Sequence, residues 1–446
     1  DKLDPYDLHH GYRATSVPTT LAVIEYMNRH FGVMKWEELF KPAIDIARNG
    51  YRITRLQHDL QERELTLFHQ HSSAVGGAYF LKNGTAPYAP GDLFKQSDLA
   101  LVLEQVAKNG ADEFYTGDIA HAIAEDMDRN QGFLSLEDLQ DIPWPSPADP
   151  LAMNLKGVTL HVPPPPSPGR GLLMMLQILE QIYNGDRDAK ICKEQITAEI
   201  IRTVLTSLAG RPVFARGYIP EQDPMLDHGS HDLIAKHILN GNGLASRTRV
   251  TSPVGGETTH LSVMDKDGNS VGITQSINLV YGAKAAANGL GFLYNNYLVD
   301  CNQTDPCHPH FLKPGGMPVS MVCPTIVSLS NRPWMVTGSP GSDRILSAVF
   351  QFLSHIFHDS RSMDIAMTEP RLHCQPCGHL ILEESRFDAG VIRILETAGY
   401  DIEWSEPWSF FHGAVHAAMM CHETKGFQGV AEIRRDGIAA GPGGVL

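Results

Sequence analysis

The residues best suited to chemistry in this chain are Thr258 and Thr259, in the run Thr258-Thr259-His260-Leu261-Ser262-Val263. They head an expected strand, just after the turn-prone Pro253-Val254-Gly255-Gly256-Glu257. A hydroxyl is a weak nucleophile near neutral pH and needs a base beside it. If the backbone is cut before Thr258, that residue carries both a hydroxyl and a free α-amine. The amine, with an ordinary pKa of about 7.7–8.0, can take the hydroxyl proton. One residue then supplies nucleophile and general base. Taken alone, the dipeptide reads more plainly as two strand threonines, because threonine favours strands. Its company argues otherwise. Ser276 and Asn278 lie two apart on the next strand and so share a face. Asn295-Asn296 and Asp300 follow, and Thr337-Gly338-Ser339-Pro340-Gly341-Ser342-Asp343-Arg344 is a Gly-rich turn entering a helix. Backbone N–H groups of such a turn can converge on a developing oxyanion, each donor contributing roughly 3–4 kcal/mol. No Gly-Lys-Ser/Thr follows, so this is not a phosphate loop.

Two other clusters have metal-like composition: His373-Cys374-x-x-Cys377-x-His379 and Cys307-His308-Pro309-His310. Zinc takes about four such ligands. With no second pair at finger-like spacing and no His-Glu-x-x-His, solvated loops and core thiols are the expectation, with no metal and no cofactor.

The elements that must position these residues follow from periodicity and turn chemistry. Helices are predicted over 19–32, 36–49, 98–108 and 117–130. A strand over 156–162 is stopped by Pro163-Pro164-Pro165-Pro166, and a buried helix runs from Leu172 to Tyr183. The second half is strand-rich. A hairpin joins 260–265 to 270–277 through Lys266-Asp267-Gly268-Asn269. Further strands are predicted over 291–298, 323–329 and 333–338, helices over 343–357 and 387–399, and a strand pair over 413–420 and 427–434. This alternation predicts an α+β fold with stacked sheets between helical layers. No linker separates the halves, so a single shared core is expected.

Composition bounds the rest. The chain has 446 residues, 42% hydrophobic, enough for a large core. Its net charge of −15 argues against a nucleic-acid partner. No apolar run approaches the roughly 20 residues of a membrane span, so no membrane partner is expected. The start, Asp1-Lys2-Leu3-Asp4-Pro5, lacks the features of a signal peptide. Seven cysteines, an odd number, do not read as a disulfide framework. A cytoplasmic location is slightly favoured, with periplasm or secretion open if an upstream signal has been removed.

With these residues in view, the chain resembles the γ-glutamyltranspeptidase family of N-terminal-nucleophile hydrolases. The likeness rests on Thr258-Thr259-His260-x-Ser262-Val263, Asp267-Gly268-Asn269, Asn295-Asn296 to Asp300, Pro324-Thr325-Ile326-Val327 and Thr337-Gly338-Ser339-Pro340-Gly341, in family order. Gly11-Tyr12 to Val17-Pro18, Pro42-Ala43-Ile44 to Gly50, Phe114-Tyr115-x-Gly117-x-Ile119-Ala120 and Pro164-Pro165-Pro166-Ser167 extend it through the first half. The resemblance implies a four-layer αββα sandwich. It also implies a precursor that cuts itself between Glu257 and Thr258. The products are a large piece, 1–257, and a small piece, 258–446, which stay intertwined as a heterodimer, alone or as a dimer of heterodimers. Thr258 is then the nucleophile and Thr259 orients its surroundings. Ser276 and Asn278 hold nucleophile and substrate. Asn296 flanks the substrate, Asp300 grips the α-amine of a glutamyl group, Ser320 binds its carboxylate, and Gly341 supplies an oxyanion-hole N–H.

The departures from the family pattern shape the expected activity. Tyr297 stands for a family Gln, Met321 for the second pocket serine, and Ser342 for the second oxyanion glycine, whose N–H is retained. Each adds volume, and Met in place of a hydroxyl leaves a buried carboxylate short of a donor, at about 1–3 kcal/mol. The family's opening segment, with its substrate-clamping arginine, is not matched, and Arg170 is a conceivable substitute. The expectation is a self-processing amidohydrolase acting on a small carboxylate-bearing amide, oxamate-like. γ-Glutamyl transfer or glutathione hydrolysis is the alternative. A β-lactam acylase, an inactive scaffold and a zinc hydrolase stand behind these.

Overall fold

The structure, a computed structural model, describes residues 5–185, 191–210, 218–240, 256–421, 423–442 and 444–445. Helices and strands are mixed throughout, as expected of an α+β chain. The chain divides into two compact units. One comprises Asp1–Pro147, Ser276–Pro306 and Phe311–Pro318, the other Ala148–Gln275, Cys307–His310 and Val319–Leu446.

The first unit is helical. Thr20–Phe31, Trp36–Asn49, Ser97–Asn109 and Asp118–Arg129 match the helices read from the sequence to within a residue or two. Arg55–His71 was not anticipated, although its start carries a capping box in which Thr54 and Gln57 satisfy each other's backbone N–H groups. The apolar stripes of these helices meet in one buried cluster. It includes Phe40, Val102, Val106, Ile119, Ile123 and Met127 together with Ala283, Leu290 and Tyr294.

The second unit is built on a six-stranded antiparallel sheet. Its spatial order is Phe427–Ala431, His416–Met420, Arg332–Gly338, Thr325–Leu329, Val158–Val162 and Leu151–Leu155. Helices Gly169–Asn184 and Arg344–Phe357 pack on this sheet and on each other. Gly169–Asn184 is buried from Gly169 through Leu179, and Arg344–Phe357 from Arg344 through Ser354. Ser347 and Gln351, polar residues in the buried part of Arg344–Phe357, are satisfied there, Ser347 by His373 and Gln351 by the Ser347 and Leu372 carbonyls. Fully buried Phe350 and Phe352 each contribute roughly 1.5–3 kcal/mol through burial. A separate three-stranded sheet pairs His379–Glu383 in parallel with Asp401–Ser405 and antiparallel with Leu372–Cys374.

The predicted hairpin is present, as Glu257–Met264 paired with Ser270–Asn278. Gly268 takes φ 92°, and the Asp265 carboxylate accepts the N–H groups of Asp267 and Asn269 at 2.9 Å each. Strand Glu257–Met264 packs against Arg332–Gly338 and His416–Met420. One expectation differs from what is found: residues 291–298 form no strand among the described residues. Buried clusters lie in both units. Each cluster draws residues from both sides of position 257.

Candidate active site

Pro253, Val254 and Gly255 of the turn-prone run lie outside the described residues; the strand Glu257–Met264 follows them. Along it Thr258 and His260 are buried while Thr259 and Leu261 are exposed, the alternation a half-buried strand imposes. Thr258 therefore points inward and Thr259 outward. His260 fixes this register. Its Nδ1 lies 2.7 Å from Thr274 Oγ1 and its Nε2 2.9 Å from Ser262 Oγ. The Ser262 hydroxyl itself donates to the His416 carbonyl at 3.2 Å. It then accepts from His260, which places a proton on Nε2. Burial, helped by His416, pushes the His260 pKa down to about 3. The ring lies against Gly338. A Cβ there would stand 2.4 Å from the imidazole Cε1, so only glycine fits.

Gly338 begins the Gly-rich turn. After it Gly341 takes φ 130° and Ser342 φ 56°, a conformation disfavoured for any residue with a side chain. The carbonyls of Gly341 and Ser342 accept from Arg344 and Ile345 at 3.0 and 3.1 Å, which commits them to the first turn of the helix. N–H groups at the start of such a helix attract negative charge. Burial works against ionisation of Asp343, but the Arg344 guanidinium and His373 outweigh it and hold the carboxyl well below the usual range. The turn also reaches the strand head. A Cβ on Gly256 would stand 3.1 Å from the Ser342 nitrogen, two residues ahead of Thr258.

Ser320 and Met321 lie in an irregular segment of the same unit, both half-buried. Met321 packs against the unit's main core, so its side chain is accounted for by that packing. Arg170, the conceivable substitute for a substrate clamp, is buried and donates to Asp223 at 2.9 Å. Asp223 also accepts from Tyr218 and from the Met225 N–H, so Arg170 reads as structural.

The remaining residues gather in the helical unit, where the strand Ser270–Asn278 ends. Ser276 Oγ accepts from the Asn278 N–H at 2.9 Å. Asn278 takes φ 77°, a left-handed conformation that asparagine tolerates. Its amide donates to Asp300 at 2.9 Å and to the Asn296 carbonyl at 3.3 Å. Asn296, fully buried, accepts from the Leu279 N–H and donates to the His9 carbonyl. Tyr297 and Asp300 bound a short 3-10 helix, with Asp300 exposed. Sequence reasoning passed over the part played by Asn295. It clasps Ser16 through three hydrogen bonds of 2.8–3.1 Å and accepts from the Tyr297 N–H.

The metal-like cysteines and histidines do not converge. His373 Nδ1 meets Ser347 Oγ at 2.7 Å, Cys377 turns to Gln375, and His379 lies between Asp401 and Glu403. Burial first of all raises the pKa of the Cys374 thiol. Among the described residues the group that could hold an ion is instead His58, Asp59 and Glu62, on one helix of the other unit. Likewise, no described helix is long and apolar enough to cross a membrane.

A model of the family described as gamma-glutamyltranspeptidase matches residues 2–442. The glutathione hydrolase proenzyme of Escherichia coli (strain K12) is 30% identical over 422 residues, covering 89% of this chain and 70% of that protein. Glutathione hydrolase 5 proenzyme of Mus musculus is 28% identical over 450 residues, covering 97% of this chain and 77% of that protein. Against two Pseudomonas relatives of the same description the chain spans 66% and 65% of their length, just under two thirds. In three dimensions the chain is similar to cephalosporin acylase from Bacillus halodurans, with a TM-score of 0.79 at 20% identity, covering 98% of this chain and 79% of that one.

Proposed function

The chain belongs to the gamma-glutamyltranspeptidase family, and from that premise we propose that it is a self-processing amide hydrolase or transferase acting on γ-glutamyl compounds of the glutathione type. The precursor cuts itself between Glu257 and Thr258, and the two pieces remain together. The four-layer αββα arrangement is part of this reading, with the six-stranded sheet and the hairpin packed on it as two of the layers.

The observation that carries the proposal is the junction in the second unit. Thr258 is buried at the strand head, and the Gly341–Ser342 turn lies against Gly256 just upstream. The Thr258 hydroxyl attacks an amide carbonyl, and its own α-amine accepts the proton. The C–N bond breaks as that proton passes to the leaving amine, and an acyl ester remains on Thr258. Water or a second amine then takes the acyl group, and the Thr258 hydroxyl is restored. Gly341 and Ser342 N–H groups stabilise the oxyanion. In the resemblance Asp300 takes the α-amine of the glutamyl group, Ser320 its carboxylate, and Asn278 and Asn296 flank it.

The oxamate-like substrate yields to the γ-glutamyl one. It rested on extra volume at Tyr297, Met321 and Ser342, yet Met321 packs into a core, and the relatives named above are glutathione hydrolases. The experiment compares release of aniline from a γ-glutamyl anilide with release of ammonia from oxamate, using matured protein. Anilide turnover is expected to dominate. Ammonia release from oxamate without anilide turnover defeats the γ-glutamyl reading.

A further inference from the structure

We propose that Arg435 is a positioning residue for self-cleavage, holding the Gly256 carbonyl so that the Glu257–Thr258 bond is presented to the Thr258 hydroxyl. The inference rests on the reading of Thr258 as nucleophile and adds a control on its maturation.

Arg435 is buried, and both terminal nitrogens of its guanidinium reach the Gly256 carbonyl, at 3.4 and 3.5 Å. The same group donates to the Phe410 carbonyl at 3.2 and 3.4 Å and lies 3.6 Å from the Phe410 ring centre. A planar fork that stacks on a ring while donating on several edges is particular to arginine, and lysine does not reproduce it.

The side chain is aimed by its neighbour. Arg434 is fully buried and paired with Glu383 through two hydrogen bonds of 2.6 and 2.7 Å, and with Glu432 at 2.9 Å. Arg371 closes on Glu432 at 2.5 Å, and the Trp408 ring lies 4.9 Å from the Arg434 guanidinium. Breaking a buried pair of this kind costs about 3–5 kcal/mol, so the backbone at 434 is firmly set. Arg435 then starts from a fixed point.

The Gly256 peptide is held from two directions, by Arg435 at its carbonyl and by Ser342 against its Cα. From Glu257 onward the backbone is committed to strand pairing. Because peptide groups are planar, fixing both flanks fixes where the Glu257 carbonyl points. In the cleavage step Thr258 Oγ bonds to the Glu257 carbonyl carbon and the C–N bond breaks. The hydroxyl proton goes to the departing Thr258 nitrogen. The resulting ester is hydrolysed by water to the Glu257 carboxylate and the free amino alcohol. A misplacement of about 1 Å in such a step can cost on the order of 100-fold in rate.

The test follows conversion of full-length precursor into its two pieces on denaturing gels, for wild type, Arg435→Ala and Arg435→Lys, with thermal melting of each. Arg435→Ala is expected to slow conversion by roughly 10-fold or more, Arg435→Lys by less, and added guanidinium ion to restore part of the Arg435→Ala rate. Conversion of Arg435→Ala at the wild-type rate overturns the proposal. Equal slowing of both variants with no response to guanidinium also overturns it, since that is what a purely structural residue gives. If Arg435→Ala shows no melting transition, Arg435→Lys decides: a wild-type rate refutes, and a slowed rate at unchanged melting temperature supports. A Thr258→Ala precursor that still cuts marks failure of the nucleophile assignment instead. An inert Thr258→Ala beside a normal Arg435→Ala sinks this inference alone.

Discussion

The surroundings of Thr258 and those of Asn278 are held by different physics. Near Thr258 the fixing groups are charged: the buried Arg434 between Glu383 and Glu432, the buried Arg435 on the Gly256 carbonyl, and the half-buried Asp343 beside Arg344. Near Asn278 they are neutral amides and hydroxyls: Ser276, Asn295, Asn296 and Ser16. Charged networks in a low-dielectric interior are costly to rearrange, which suits a nucleophile whose aim must hold through two reactions. Asp300 accepts from the Asn278 amide, and in the proposed reading its carboxylate meets a cationic ligand group through a charge-assisted hydrogen bond. One region is built to stay put and the other to recognise.

Three experiments bear on this contrast. The largest effect belongs to Thr258→Ala. It should abolish cleavage on denaturing gels and lower turnover by a factor on the order of 10⁴ or more. Cleavage with loss of turnover alone would show that the first region does not serve both reactions. Asp300→Asn comes next. Its precursor should still mature, while kcat/KM for a γ-glutamyl anilide falls about 10- to 100-fold, as expected for losing a hydrogen bond to a charged group. An Asp300→Asn precursor that stays uncut would erase the division between the regions. The smallest effect is on stability. His260 stays neutral when folded to about pH 3 but binds a proton near 6.5 when unfolded. The unfolded state therefore takes up more protons as pH falls through 6.5, and stability declines from there down to about pH 3. The slope is about 1.4 kcal/mol per pH unit for such a group. Thermal melting between pH 6.5 and 4.5 should show it on top of the same-sign contributions of His10, His412 and His416, and His260→Gln should make the slope shallower by one group's share.

Local chemistry was legible in the sequence and long-range pairing was not. The hairpin could be read because Asp265, Gly268 and Asn269 build its turn among themselves. The Gly-rich turn could be read for the same reason, although the imidazole that demands Gly338 comes from His260, far off along the chain. The strand expected over 291–298 failed because its polar residues bond elsewhere. Asn295 turns to Ser16, and Tyr294 exchanges backbone bonds with Ala283 and Ala285, so alternation of side chains is overridden. Helix Arg55–His71 was missed although Thr54-x-x-Gln57 announces it. Arg435 and Gly256 are 179 residues apart, and no period or spacing links them.

The Glu383–Arg434 pair carries a practical lesson for handling this molecule. The Arg434 guanidinium is a counter-ion of a carboxylate that is itself wholly buried, with Arg386 as a second partner at 3.3 Å. Cutting the chain ahead of that arginine would not remove a dispensable fringe. It would leave Glu383 to Arg386 and Glu432 to Arg371 as ion-pair partners, and the damage would surface around residues 371 and 383, well away from the cut.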